Sequence, residues 1–262
     1  MMLQEGFSAG YVDSANGPVH YLEHGDGRPI LMLHQGGSSS REFVSIARRL
    51  DGWRAVMPDI PDHGNSAECD EPSIERYAAS IRDLVDALGI SRLVLFGHHF
   101  GGVVAAELAV LLGSRVEHLI LSNTPYVDEH ARGLRKGEAP RSYVATRDDG
   151  SHLTELWASR MGLYGGDAAL SNRFIAENLL LGERVERAHA AVAAYRMEDR
   201  FPEYAGGLTF IHGAADPYIS IEIEHALDRY RPDRLVTLPR GGVALVDQCD
   251  DDVAAVIRET AR

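Results

Sequence analysis

The stretch Leu93-Val94-Leu95-Phe96-Gly97-His98-His99-Phe100-Gly101-Gly102, continuing through Val103 to Leu112, decides how this chain is read. Four consecutive apolar residues have the length and composition of a buried strand, and the alanine-rich run after Gly102 has those of a buried helix. Glycine at 97 and 101 lets the strand turn sharply into the helix without a Cβ clash. His99 is therefore expected at the apex of the turn, with its imidazole projecting outward.

Three further segments set this turn in a larger pattern. Pro29 to Leu33 reads as a strand ending in His34-Gln35-Gly36-Gly37, and Arg54 to Met57 as a strand ending in Asp59-Ile60-Pro61-Asp62-His63-Gly64-Asn65-Ser66. Leu208 to Ile211 leads into His212-Gly213-Ala214-Ala215-Asp216-Pro217. Taken in order with the turn at 97–101, these resemble the oxyanion loop, the D-x-P-G-H-G-x-S loop, the nucleophile elbow and the acid-bearing loop of the α/β-hydrolase superfamily. The resemblance runs from residue 29 to 217. It implies an α/β-hydrolase fold: a mostly parallel open sheet flanked by helices, with a helical cap inserted before the last strands.

The departures from that pattern are chemical. Gln35 and Asp62 replace usual glycines. His99 stands where the resemblance places a nucleophilic serine, and Val243, in Gly241-Gly242-Val243, stands where it places the catalytic histidine. No histidine follows Arg231, so a shifted alignment cannot supply one. A Ser-His-Asp mechanism needs a hydroxyl, a base and an orienting acid, and only the acid, Asp216, remains. Histidine reaches farther than serine, and the absence of an imidazole at 243 leaves room beside Asp216. A His99–Asp216 dyad is the resulting expectation, with His99 as general base.

Backbone amides of Phe100, Gly36 and Gly37 are expected to face a developing oxyanion, although the glycine pair equally suits a tight turn. Gln35, His98, Tyr126, Tyr143 and Trp157 are the candidate substrate-binding residues. Tyr143 and Trp157 come from a segment that mixes aromatics with cations and would suit a planar aromatic ligand. His34 and His63 are expected to be structural, and Ser38, Ser39 and Ser40 to face solvent. No metal-ligand spacing is present, so neither a metal nor a cofactor is expected.

Charge and composition narrow the partners. The 262-residue chain carries a net charge of −13 with 45% hydrophobic residues, which suits a globular protein and argues against nucleic acid or an anionic membrane as partner. No leader-like segment and no membrane-length apolar run is evident, giving a cytoplasmic expectation. The two cysteines, Cys69 and Cys249, suggest no disulfide framework. The strand–helix rhythm holds through residue 126 and breaks from 127 to 206. The division is thus core (1–126), helical cap (127–206) and core again (207–262). Within the cap, helices are expected over 151–161, 171–181 and 184–197. Ser73 is expected to cap a helix running to Gly89, and Asn16-Gly17 to turn an N-terminal hairpin.

The functional expectation is a cofactor-independent enzyme using base-assisted proton transfer on a bulky, aromatic small molecule: an addition, elimination, cyclisation, decarboxylation or C–C bond step. Two alternatives stay open: a hydrolase in which His99 activates water, and a small-molecule binding protein without catalysis. A homodimer is also left open.

Overall fold

The computed structural model describes residues 5–134 and 143–260. Eight strands form one sheet: β1 (Phe7–Ser14), β2 (Gly17–His24), β3 (Arg28–Leu33), β4 (Trp53–Pro58), β5 (Leu93–His98), β6 (Val116–Ser122), β7 (Leu208–Gly213) and β8 (Arg234–Leu238). Their order is β1-β2-β4-β3-β5-β6-β7-β8. β2 runs antiparallel to β1 and β4, and every later pairing is parallel. The hairpin turns one residue earlier than the sequence predicts: Ser14 pairs with Gly17, which opens β2 at φ +97°, leaving Ala15-Asn16 as the loop.

β5 is buried at every position and β3 along Ile30–Leu33, because helices cover both faces of the sheet. One core layer packs helices Ile74–Ala87 and Phe100–Leu112 against the sheet; the other packs Val44–Ala47 and Asp250–Glu259. Ser73 does cap the first of these helices, its Oγ accepting from the Arg76 amide. The 100–112 helix is apolar almost all round, as its burial requires. Its close approach to β3 depends on Gly101, where a Cβ would lie 2.2 Å from the Leu33 carbonyl oxygen.

Between β6 and β7 the chain forms helices Glu129–Leu134, Ser151–Leu163, Ala168–Leu181, Arg184–Ala194 and Met197–Arg200. The 168–181 helix starts before the expected Ser171 because the Asp167 carboxylate caps it, accepting from the Leu170 amide. The expected 184–197 helix instead breaks at Tyr195, whose backbone is extended. There the Tyr195 hydroxyl donates to buried Glu107 on the elbow helix (2.7 Å) and the Arg132 guanidinium donates to the Tyr195 carbonyl (2.8 Å). Tertiary anchoring at this point overrides local helix preference.

The insert docks on loops at the carboxyl ends of the strands. Asn178 donates to the Gly37 carbonyl (3.0 Å), and Arg187 meets Asp62 (3.2 Å). Asp62, at φ +71° where the resemblance places glycine, also accepts from the Tyr77 hydroxyl (2.6 Å) and the Cys69 amide (3.0 Å). These bonds hold a carboxylate in a backbone conformation that favours glycine. The serines at 38–40 are buried, correcting their expected exposure: Ser38 and Ser39 donate to Glu177 of the insert (3.1 and 2.7 Å).

Candidate active site

Parallel α/β sheets place ligands at the carboxyl ends of their strands, where connections leave in opposite directions. In this sheet β3 lies between β4 and β5, and the loops after these strands and after β7 converge there. The sharp turn after β5 puts His99 at φ +47°, ψ −116°, with its amide donating to the Ser122 carbonyl and its own carbonyl taking the amides of Gly102 and Val103. Such backbone is costly for a non-glycine residue and holds only because its surroundings fix it. A Cβ on Gly97 would lie 2.6 Å from the Gly101 carbonyl oxygen, so the glycine is needed there.

His99 reaches Asp216. Nε2 lies 2.8 Å from Oδ2, the distance of an ion pair, although the oxygen sits off the ring N–H direction and the contact lacks the alignment of a hydrogen bond. The carboxylate is fully buried and held on three other sides. Asn123 donates to Oδ2 (2.9 Å), and the amides of Tyr218 and Ile219 donate to Oδ1 (2.9 and 3.3 Å). Burial by itself would raise the Asp216 pKa; the imidazole and these amides outweigh it and hold the group below the usual carboxylate value. The His99 side chain keeps 16% of its surface exposed. Its Nδ1 has no hydrogen-bond partner among the described residues and is not among the buried orphan atoms.

Its neighbour has the opposite surroundings. His98 is fully buried, its Nε2 donating to the Val243 carbonyl (3.1 Å) and its Nδ1 accepting from the Ser122 hydroxyl (3.1 Å). Burial, reinforced by the adjacent His99, pushes its pKa down to about 3, so the ring is neutral. His98 is thus a brace between β5, β6 and the turn after β8, not a substrate-binding residue. Val243 packs with Tyr164 and Phe174 of the insert, so the position expected to carry an imidazole is an apolar contact.

Phe100 and Gly36 adjoin: a Cβ on Gly36 would lie 3.6 Å from the Phe100 Cβ. Neither amide is taken by a protein acceptor among the described residues, and Gly36 is partly exposed whereas Gly37 is buried with its carbonyl on Asn178. Gln35 is buried against Glu42, its side-chain Nε2 donating to Oε1 (3.5 Å) and its backbone amide to Oε2 (2.9 Å). Tyr126 is also drawn off, its ring packed edge-on against Tyr230 in the main core. Tyr143 contributes its backbone amide to Glu186, and Trp157 is 39% exposed. His34 and His63 sit beside Phe100, and His63 stacks on its ring.

Two residues escaped the sequence reading. Asn123, at φ +45°, donates to both Asp216 and the Gly242 carbonyl and accepts from the Gly213 amide. The only signal was a polar run at the end of a strand. Glu42 is fully buried behind the loop after β3, 3.7 Å from His98, and burial raises its pKa well above the carboxylate range. Nothing in its local sequence marks it.

The family model for the alpha/beta hydrolase fold matches residues 28–242, and the chain belongs to that family. It is similar to haloalkane dehalogenase 2 of Mycobacterium tuberculosis, 34% identical over 124 residues, which are 45% of this chain and 42% of that protein. Epoxide hydrolase 3 of Xenopus tropicalis is 33% identical over 148 residues, 54% of this chain and 36% of that protein. The matched segments span less than half of either relative's length. Among solved structures, a hydrolase from Pseudomonas aeruginosa PA01 superposes with a TM-score of 0.80 at 19% identity, covering 97% of this chain and 98% of that one. An esterase from Thermogutta terrifontis gives 0.79 at 22% identity, over 96% and 97%. These likenesses show the shared fold. Among the described residues, no helix is long and apolar enough to cross a membrane.

Proposed function

We propose that this protein is a cofactor-independent enzyme in which His99, paired with Asp216, is a general base acting on a bulky, aromatic carbonyl compound under a cap made by the helices that lie between β6 and β7. The observation that carries this reading is the division of labour on one ring: Nε2 rests on a buried carboxylate while Nδ1 has no hydrogen-bond partner among the described residues. Nδ1 would take a proton from carbon next to the carbonyl, the electron pair would move onto the carbonyl oxygen, and the Phe100 and Gly36 amides would receive that oxyanion. The imidazolium formed beside the Asp216 carboxylate is stabilised by its charge. Return of the proton from His99 to another atom, or expulsion of a leaving group that takes the electron pair and is protonated by the imidazolium, completes the cycle.

A second reading is favoured by the relatives, which are named as a dehalogenase and an epoxide hydrolase: the same Nδ1 deprotonates water for hydrolysis. One experiment separates the two. The purified protein is incubated in D2O with phenylacetone, and in parallel with p-nitrophenyl acetate, alongside His99→Ala. Deuterium uptake that depends on His99 supports carbon-acid chemistry, and ester hydrolysis that depends on His99 without uptake supports the hydrolase. If His99→Ala matches the wild type in both assays, the general-base role of His99 is refuted.

A further inference from the structure

Asn123 follows β6 at φ +45°, a conformation that residues other than glycine seldom keep. Its side chain explains why it stays there. Oδ1 accepts from the Gly213 amide at the end of β7 (2.7 Å), while Nδ2 donates to Oδ2 of Asp216 (2.9 Å) and to the Gly242 carbonyl (3.1 Å). These neighbours demand one acceptor and two donors, which a side-chain amide supplies and neither a carboxylate nor a hydroxyl can. Both N–H bonds leave one planar nitrogen at a fixed angle to each other. Turning the amide to follow Gly242 therefore turns it off Asp216.

Gly242 in turn is gripped by the insert. A Cβ on it would lie 3.7 Å from the Leu163 carbonyl oxygen and 3.1 Å from Oε1 of Gln248, which accepts from the Gly242 amide (2.8 Å). Next to it, Val243 packs with Tyr164 and Phe174 of the insert, and its carbonyl accepts from His98 (3.1 Å). Arg173 of the insert makes two parallel bonds of 2.7 Å to Asp247, on the short helix Leu245–Gln248. The segment from Gly242 to Gln248 is thus fixed by the insert on one side and by Asn123 and His98 on the other. Asp216 is one hydrogen-bonded residue away from it.

We infer that Asn123 is a positioning residue that makes the His99–Asp216 geometry depend on how the insert is docked. With the insert seated, the Gly242 carbonyl sets the plane of the amide, and Oδ2 of Asp216 is held between Asn123 (2.9 Å) and Nε2 of His99 (2.8 Å). When the insert shifts, the segment it grips moves with it, and the amide swings about its bond from Gly213. The carboxylate then loses a donor on the very oxygen that meets His99. Enclosure of a ligand and alignment of the imidazole are in this way one event. The inference rests on the proposed function for what the dyad does, and on the hydrogen bonds alone for the coupling.

The test is a double-mutant cycle read by NMR of protein isotope-labelled at the histidine ring nitrogens, which needs no turnover. Arg173→Gln and Phe174→Ala loosen the insert, and each is made alone and together with Asn123→Gly, a residue that suits the backbone at 123. Asn123→Ala is prepared in parallel, and thermal melts confirm that every variant folds. The His99 resonances are assigned by their loss in His99→Ala. Both insert variants are expected to move the His99 Nε2 resonance, whereas Leu180→Ser, at an 80% exposed position of the same helix, leaves it in place. In the Asn123→Gly background neither insert variant is expected to move it further. A resonance unmoved by both insert variants, or moved equally with and without Asn123→Gly, overturns the coupling. Either result leaves His99-dependent deuterium uptake standing. Uptake unchanged in His99→Ala, alongside a cycle that behaves as expected, would instead remove the base and keep the coupling.

Discussion

The turn after β5 and the turn after β8 place one residue each in opposite surroundings. At the first, His99 is strained at φ +47° and turned onto a buried carboxylate. At the second, Val243 rests in an apolar contact with Tyr164 and Phe174. Asp216, near both, meets its imidazole from the β5 side, while its amide donors hold it from the loop after β7.

Substitutions at these two turns can break that comparison. His99→Ala removes the imidazole that meets Asp216 and is expected to lower deuterium uptake by roughly 10²–10⁴-fold, measured by NMR of the carbon acid. Asp216→Asn keeps the base but removes its counter-charge, and a smaller loss of about 10²-fold is expected in the same assay. Exchange sharpens the comparison further. His99→Ser together with Val243→His supplies a hydroxyl and an imidazole, and hydrolysis of p-nitrophenyl acetate is expected to exceed that of either single variant by about tenfold or more. A double variant no better than the singles would show that the turn after β8 does not carry a functional imidazole.

The remaining effects are on stability. Val243→Ala opens a small cavity against the insert and is expected to cost on the order of 1–2 kcal/mol in urea unfolding, with no such cost at exposed Trp157→Ala. The buried histidines give a pH signature. Burial holds both His63 and His98 at about 3, against an ordinary value of 6.5. Below pH 6.5 the unfolded chain takes up protons that the folded chain refuses, so stability falls as pH drops from there toward 3. Thermal melts across that interval are expected to show the decline, and His63→Phe is expected to flatten its slope.

How much of this could be read from the chain depends on whether a position is set by neighbours in sequence or by neighbours in space. The four loops were legible because glycine, proline and apolar runs act locally on backbone shape. His99 at the apex and Asp216 beyond β7 follow from that shape alone. The candidate binding residues fared worse. Tyr126 and Trp157 are aromatic in the expected segments, but whether a ring enters the core or faces water depends on what packs over it. The helix expected to run to Met197 failed at Tyr195 for the same reason, since Glu107 lies 88 residues away in sequence.

The sequence by itself determined the family, the order of the strands' loops and the presence of histidine at 99, valine at 243 and aspartate at 216, because these are written as residue types at short, steric spacings. Only the tertiary structure decided that His99 bears on Asp216 while the adjacent His98 is sealed as a neutral brace. It likewise decided that Asn123 steadies the acid. Each of those outcomes turns on desolvation and on partners from distant strands, and burial is a property of the folded assembly that no local stretch of residues encodes.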